Sequence, residues 1–196
     1  MKKKDLAGSL AAFEEAVTLF PTYFAGLYQL GELYFAKQEY GKAAFYFLKA
    51  ADVNNKSPQS FFRSGYSLYM LNVNNKMETL PAALVALETA LSLSPGSSEV
   101  LLLLGMTEMK TGKLTEAEKH FKQVKKVSTN PNPEVYWNLS LLYGNYLKKY
   151  AEAATELVSY VKAQSKVETP EQKKKIEEYK KIIKQLKDKA ATSTKS

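Results

Sequence analysis

Residues 24–50 read FAGLYQLGELYFAKQEYGKAAFYFLKA, and this stretch decides the fold. Leu27, Leu30, Tyr34 and Phe35 recur at three- and four-residue spacing, which puts them on one helical face. Ala43, Ala44, Phe47, Leu48 and Ala50 do the same in a second segment. Between the two, Lys37-Gln38-Glu39-Tyr40-Gly41 is short and polar, which predicts a tight turn between helices folded back on each other. Gly31 and Ala43 are small enough to let two helix backbones approach closely, with Tyr34 and Phe47 filling the space beside them.

This arrangement resembles the tetratricopeptide repeat. In that family an aliphatic or Trp residue, Leu-Gly and Tyr in a first helix are followed by Ala, an aromatic and Ala in a second, over about 34 residues. Here Leu27, Leu30-Gly31, Tyr34, Ala43, Phe47 and Ala50 hold those places, and Asn55 stands where the closing Pro would be. One unit of this kind cannot bury its own apolar face, so flanking copies are expected.

Working outward, each side supplies them. Residues 6–21 read as a second helix without its first, with Ser9, Phe13 and Ala16 in the family places ahead of Pro21. A full repeat spans 24–57. The next, 58–97, opens on Ser57-Pro58, a helix-start signal, and puts Gly65 34 residues after Gly31. Gly65 to Ala83 is six residues longer than Gly31 to Ala43, so a turn of Asn72 to Thr79 is expected inside this repeat. Such an insertion reads as a solvated loop or, on one edge of a solenoid, as a binding element. Repeats at 98–131 and 133–166 carry Leu101, Leu104, Gly105, Ala117, Phe121 and Val124, then Tyr136, Leu139, Ser140, Tyr143, Ala153 and Leu157. Thr169-Pro170-Glu171-Gln172 is a capping-box start for a basic helix over 169–189. Its stripe of Ile176, Tyr179, Ile182, Ile183 and Leu186 suits a helix that caps the last repeat. Residues 190–196 are expected to be disordered. The resemblance implies one all-α domain, a right-handed superhelical solenoid.

Composition narrows function. The 196 residues carry a formal charge of +8, 45% hydrophobic residues and no Cys. No apolar stretch is long enough for a membrane span, and the lack of Cys excludes disulfides and thiolate metal sites. No secretory core follows Met1-Lys2-Lys3-Lys4, which leaves a cytoplasmic location or, if an upstream signal or anchor was removed, a periplasmic one. The charge is local: residues 162–196 hold 11 Lys against five acidic residues. The single Arg, Arg63, argues against a protein that reads phosphates or bases.

Catalysis has no foothold. His120 is the only imidazole, sits among lysines on a second helix, and reads as a surface side chain. No acidic cluster has metal-ligand company and no Gly-rich phosphate loop occurs, so neither metal nor cofactor is expected.

The resemblance places a binding groove on the first helices. Its inward positions would be Tyr28, Glu32 and Phe35, then Phe62, Tyr66 and Tyr69, then Leu102, Met106 and Met109, then Trp137 and Leu141. Aromatic and Met side chains give large, adaptable contact area, which suits a hydrophobic peptide or an amphipathic helix of a partner protein. Two other readings of these rings stay open: ordinary core between repeats, or partial cover by the chain's own terminal helix. Some family members hold a ligand's C-terminal carboxylate with Lys and Asn residues. The matching places are Tyr28, Gln29, Glu32, Gln59 and Arg63, of which only Arg63 has suitable chemistry. The expected function is therefore a non-catalytic scaffold or adaptor. Alternatives are a structural subunit of a bacterial envelope or secretion complex, and a basic surface that docks on anionic lipid or nucleic acid. Pairing of two copies through the N-terminal half repeat is a further expectation.

Overall fold

The computed structural model describes residues 3–75, 78–164 and 169–193. All regular structure among them is helical: α1 (Lys3–Leu19), α2 (Phe24–Ala36), α3 (Tyr40–Val53), α4 (Pro58–Asn75), α5 (Leu80–Leu93), α6 (Ser98–Lys110), α7 (Leu114–Val127), α8 (Glu134–Leu141), α9 (Tyr150–Gln164) and α10 (Pro170–Ser193). A π-helical turn, Leu142–Tyr146, continues α8. The chain divides into two compact units, Met1–Thr107 and Glu108–Ser196, with the boundary inside α6.

In the first unit, α2 and α3 form one hairpin and α4 and α5 the next, with α1 packed on α2. The small residues act as expected. A Cβ on Gly31 would lie 2.6 Å from the Phe47 ring, and one on Gly65 would lie 2.7 Å from Leu87. Ala43, Phe47, Ala83 and Leu87 are fully buried against these approaches. Ser57, just ahead of α4, and Ser60, Ser64 and Ser67 on it are buried as well. Ser57 caps the helix, its Oγ accepting from the Ser60 N–H at 3.3 Å, whereas Ser64 Oγ has no hydrogen-bond partner.

The second unit packs α7 on α8, α8 on α9 and α9 on α10. Phe121, Val124, Val135, Leu139, Leu142, Ala153 and Leu157 make its core. The capping box expected at Thr169 is present: Gln172 N–H donates to Thr169 Oγ1 at 3.3 Å, and Thr169 N–H donates to Gln172 Oε1 at 3.2 Å.

Several element ends differ from expectation. The turn after α2 is three residues long, because Tyr40 and Gly41 already belong to α3, and its left-handed residue is Gln38 with φ 61°. Gly112 (φ 80°) and Lys148 (φ 57°) hold the same place in the turns before α7 and α9. The six-residue insertion is partly taken up by α4 itself, which runs to Asn75 rather than ending at Leu71. Thr79 Oγ1 then donates to Leu68 O at 2.7 Å and ties the insertion back; Lys76 and Met77 lie outside the described residues. Ser140 to Ala153 is one residue longer than Gly31 to Ala43, and the π-turn is where the surplus residue goes. Finally α10 extends to Ser193, past the point where disorder was expected, and residues 194–196 lie outside the described residues.

Candidate functional site

In the first unit the apolar spacing of α2 and α4 brings Tyr28, Glu32, Phe35, Phe62, Arg63 and Tyr66 together. The Phe35 and Tyr66 rings are 5.1 Å apart and those of Phe62 and Tyr66 are 6.1 Å apart. Tyr28 meets Phe47 edge to face at 5.2 Å. All six side chains stay half-exposed, as does Met106, which packs with Phe62 and Tyr66 against the core around Tyr69 and Leu87. Tyr69 and Leu102, expected to line a groove, are instead buried, with 8% and 7% of their surface exposed. At these two positions the apolar face turns into the core.

The polar edge of this face is an ion pair between neighbouring first helices. Arg63 Nε donates to Glu32 Oε1 at 2.5 Å, and Arg63 Nη2 donates to Glu32 Oε2. The guanidinium lies 4.5 Å over the Phe35 ring and 5.4 Å from the Phe47 centroid. Burial, then the Glu32 charge, push the Tyr28 phenol above its usual range. The net result is an aromatic surface whose one strong charge is neutralised from within.

The remaining expected residues, Met109, Trp137 and Leu141, belong to the second unit and are half-exposed. Trp137 sits in an aromatic cluster of its own unit. Tyr160 of α9 and Tyr179 of α10 stand 5.4 and 5.6 Å from it, and 5.6 Å from each other. Rings of α9 and α10 thus pack against Trp137, which keeps part of its surface exposed.

His120 is a correction. Its side chain is 16% exposed rather than on the surface, and its Nδ1 donates at 2.7 Å to Oε2 of Glu108, whose side chain is 4% exposed. The pair spans 12 residues, the same separation as Gly31 and Ala43, and in the α2–α3 hairpin the equivalent places hold the stacked rings of Tyr34 and Tyr46. A signal existed: in a hairpin of known register, an acid and a His 12 apart face each other.

The family tyrosines also reach backward. Tyr34 donates its hydroxyl to Glu14 of α1, and that bond is the main cause of its raised pKa. Tyr143 donates to Glu118 of α7 at 3.1 Å; burial, then the Glu118 charge, push its phenol up to about 12. Glu118 is held low, chiefly by the Lys122 ammonium that donates to it.

Comparison with known proteins agrees with this architecture. Family models described as tetratricopeptide repeat match residues 1–59 and 76–140. A TPR repeat-containing protein of Methanocaldococcus jannaschii is 33% identical over 131 residues, covering 65% of this chain and 21% of its own length. The chain therefore spans about a fifth of that relative. MamA from Desulfovibrio magneticus superposes with a TM-score of 0.73 at 16% identity, covering 84% of this chain and 88% of that one. YrrB, described as a TPR protein with an unusual peptide-binding site, superposes at 0.71 with 24% identity, over 83% of this chain and 80% of its own. At these identities the likeness concerns the fold.

Proposed function

This chain belongs to the tetratricopeptide repeat family, and from that premise we propose that it is a non-catalytic scaffold whose first unit holds an apolar peptide or amphipathic helix of a partner protein. One observation carries the reading: Tyr28, Phe35, Phe62 and Tyr66 stand half-exposed on adjacent first helices around a neutralised Glu32–Arg63 pair. Rings of this kind give contact area at little entropic cost, which is how small faces reach useful affinity. The peptide-binding site named for YrrB supports a peptide as ligand class.

The test is selection of binders from a displayed library of amphipathic helical peptides, followed by titration of the chosen peptide. Phe62→Ala or Tyr66→Ala is expected to weaken binding at least about tenfold, the loss of a central aromatic contact. Affinity should change less than about twofold between low and moderate salt, because screening acts on charges and this face is neutral. Binding that survives both substitutions and collapses with salt would transfer the function to the lysines of α10.

A further inference from the structure

We propose that Glu32 decides which partners this face accepts: its carboxylate occupies the guanidinium of Arg63 and so turns away peptides that present a carboxylate there. The inference rests on the first unit's face being the binding surface.

Arg63 is the chain's only guanidinium, a planar fork whose geometry matches a carboxylate on two parallel N–H donors. In the structure that match is complete and internal, with Nε and Nη2 each on a different oxygen of Glu32. The fork is also held in place from behind. It stacks over Phe35, so it cannot swing away to meet a ligand elsewhere without losing that contact.

Yet the pair is not sealed off. The two side chains keep 20% and 32% of their surface, so an incoming peptide can reach the spot. What stops an acidic peptide is competition rather than burial. A carboxylate fixed on the adjacent helix acts at an effective concentration of millimolar or more, whereas a ligand arrives at micromolar levels. A second carboxylate would also meet the charge of the first. The face thus favours segments that are apolar or neutral where they pass Arg63. Its specificity is set by a charge that belongs to the protein itself.

The experiment compares two fluorescein-labelled peptides, one ending in several Glu residues with a free carboxylate, the other its Gln counterpart with an amidated end. They are titrated into the intact chain, Glu32→Ala, Glu32→Gln and Glu32→Ala/Arg63→Gln, with helical circular dichroism confirming the fold of each. The unaltered chain should bind the neutral peptide more tightly than the acidic one, and equal binding of the two would count against the inference. Glu32→Ala should bind the acidic one at least about tenfold more tightly and the neutral one unchanged, and the Arg63→Gln change should abolish the gain. If Glu32→Ala unfolds, Glu32→Gln, which keeps the side-chain shape, carries the same comparison. A folded Glu32 variant with no gain for the acidic peptide, or a gain that persists without Arg63, overturns the inference. The library-selected peptide separates the two levels. Its binding to the unaltered chain with no acidic gain in the variants rejects only the role of Glu32, while its failure to depend on Phe62 rejects the binding face itself.

Discussion

Ser64 presents a hydroxyl at a helix contact where nothing bonds it. A buried polar group without a partner keeps its desolvation cost, so Ser64→Ala should raise the unfolding free energy by about 1 kcal/mol, read as a higher denaturant midpoint at unchanged slope. Gly65 carries the opposite expectation. An added methyl would meet Leu87 at 2.7 Å and the backbone oxygen of Ala83 at 3.2 Å, and a backbone atom cannot step aside as a side chain can. Gly65→Ala should cost about 1–3 kcal/mol, the usual range for overpacking, despite the better helix propensity of Ala. The sequence made Gly65 legible because its spacing from Gly31 repeats the period. It could not reveal Gln38, which takes a left-handed turn position that Gly112 fills in another hairpin. A residue with no sequence preference for that conformation gives no sign of adopting it.

Most helices are legible as elements because a 3.6-residue apolar period survives in them, while α6 shows as a continuous apolar run, Val100 to Leu104; their ends and cross-hairpin partners depend on register instead. The α4 extension and the π-turn after α8 both absorb extra residues, and composition alone does not say whether a surplus goes into loop or helix. Register also explains the Glu108–His120 pair, hidden because Glu108 follows an apolar run and His120 sits among lysines. Breaking it from one side leaves a buried carboxylate alone. His120→Ala should therefore destabilise the second unit by about 3 kcal/mol, and adding Glu108→Gln to it should recover part of that loss in the denaturation midpoint. The neighbouring contact between the π-turn and α7 predicts an alkaline transition. With its pKa raised to about 12 in the fold, Tyr143 favours the folded state below pH 10 and loses that contribution as pH climbs from there through about 12. A pH series of circular dichroism should show unfolding in this window, and Tyr143→Phe should shrink the pH dependence there. An identical profile in the variant would remove Tyr143 as the cause.

Charge and burial are distributed very unevenly over the whole molecule. The lysines concentrate in α10, a helix of 24 residues with none buried, while α7, α8 and α9 each place core residues out of solvent. The apolar stripe of α10 is only half-covered at Ile176, Tyr179, Ile183 and Leu186, and Ile182 is 40% exposed. Local opening free energy follows buried apolar contact, so α10 should detach before the rest of its unit unfolds. The chain supplies its own reporter, because Trp137 is the single tryptophan and Tyr179 of α10 rests against it. In a urea titration, tryptophan emission should begin to shift before ellipticity falls, and amides of α10 should exchange faster than those of α8. Tyr179→Ala should produce the early emission change without denaturant while leaving α7 to α9 helical. Coincident fluorescence and ellipticity transitions, with α10 amides as protected as those of α8, would mean instead that the half-covered stripe is strong enough to make the terminal helix an integral part of its unit.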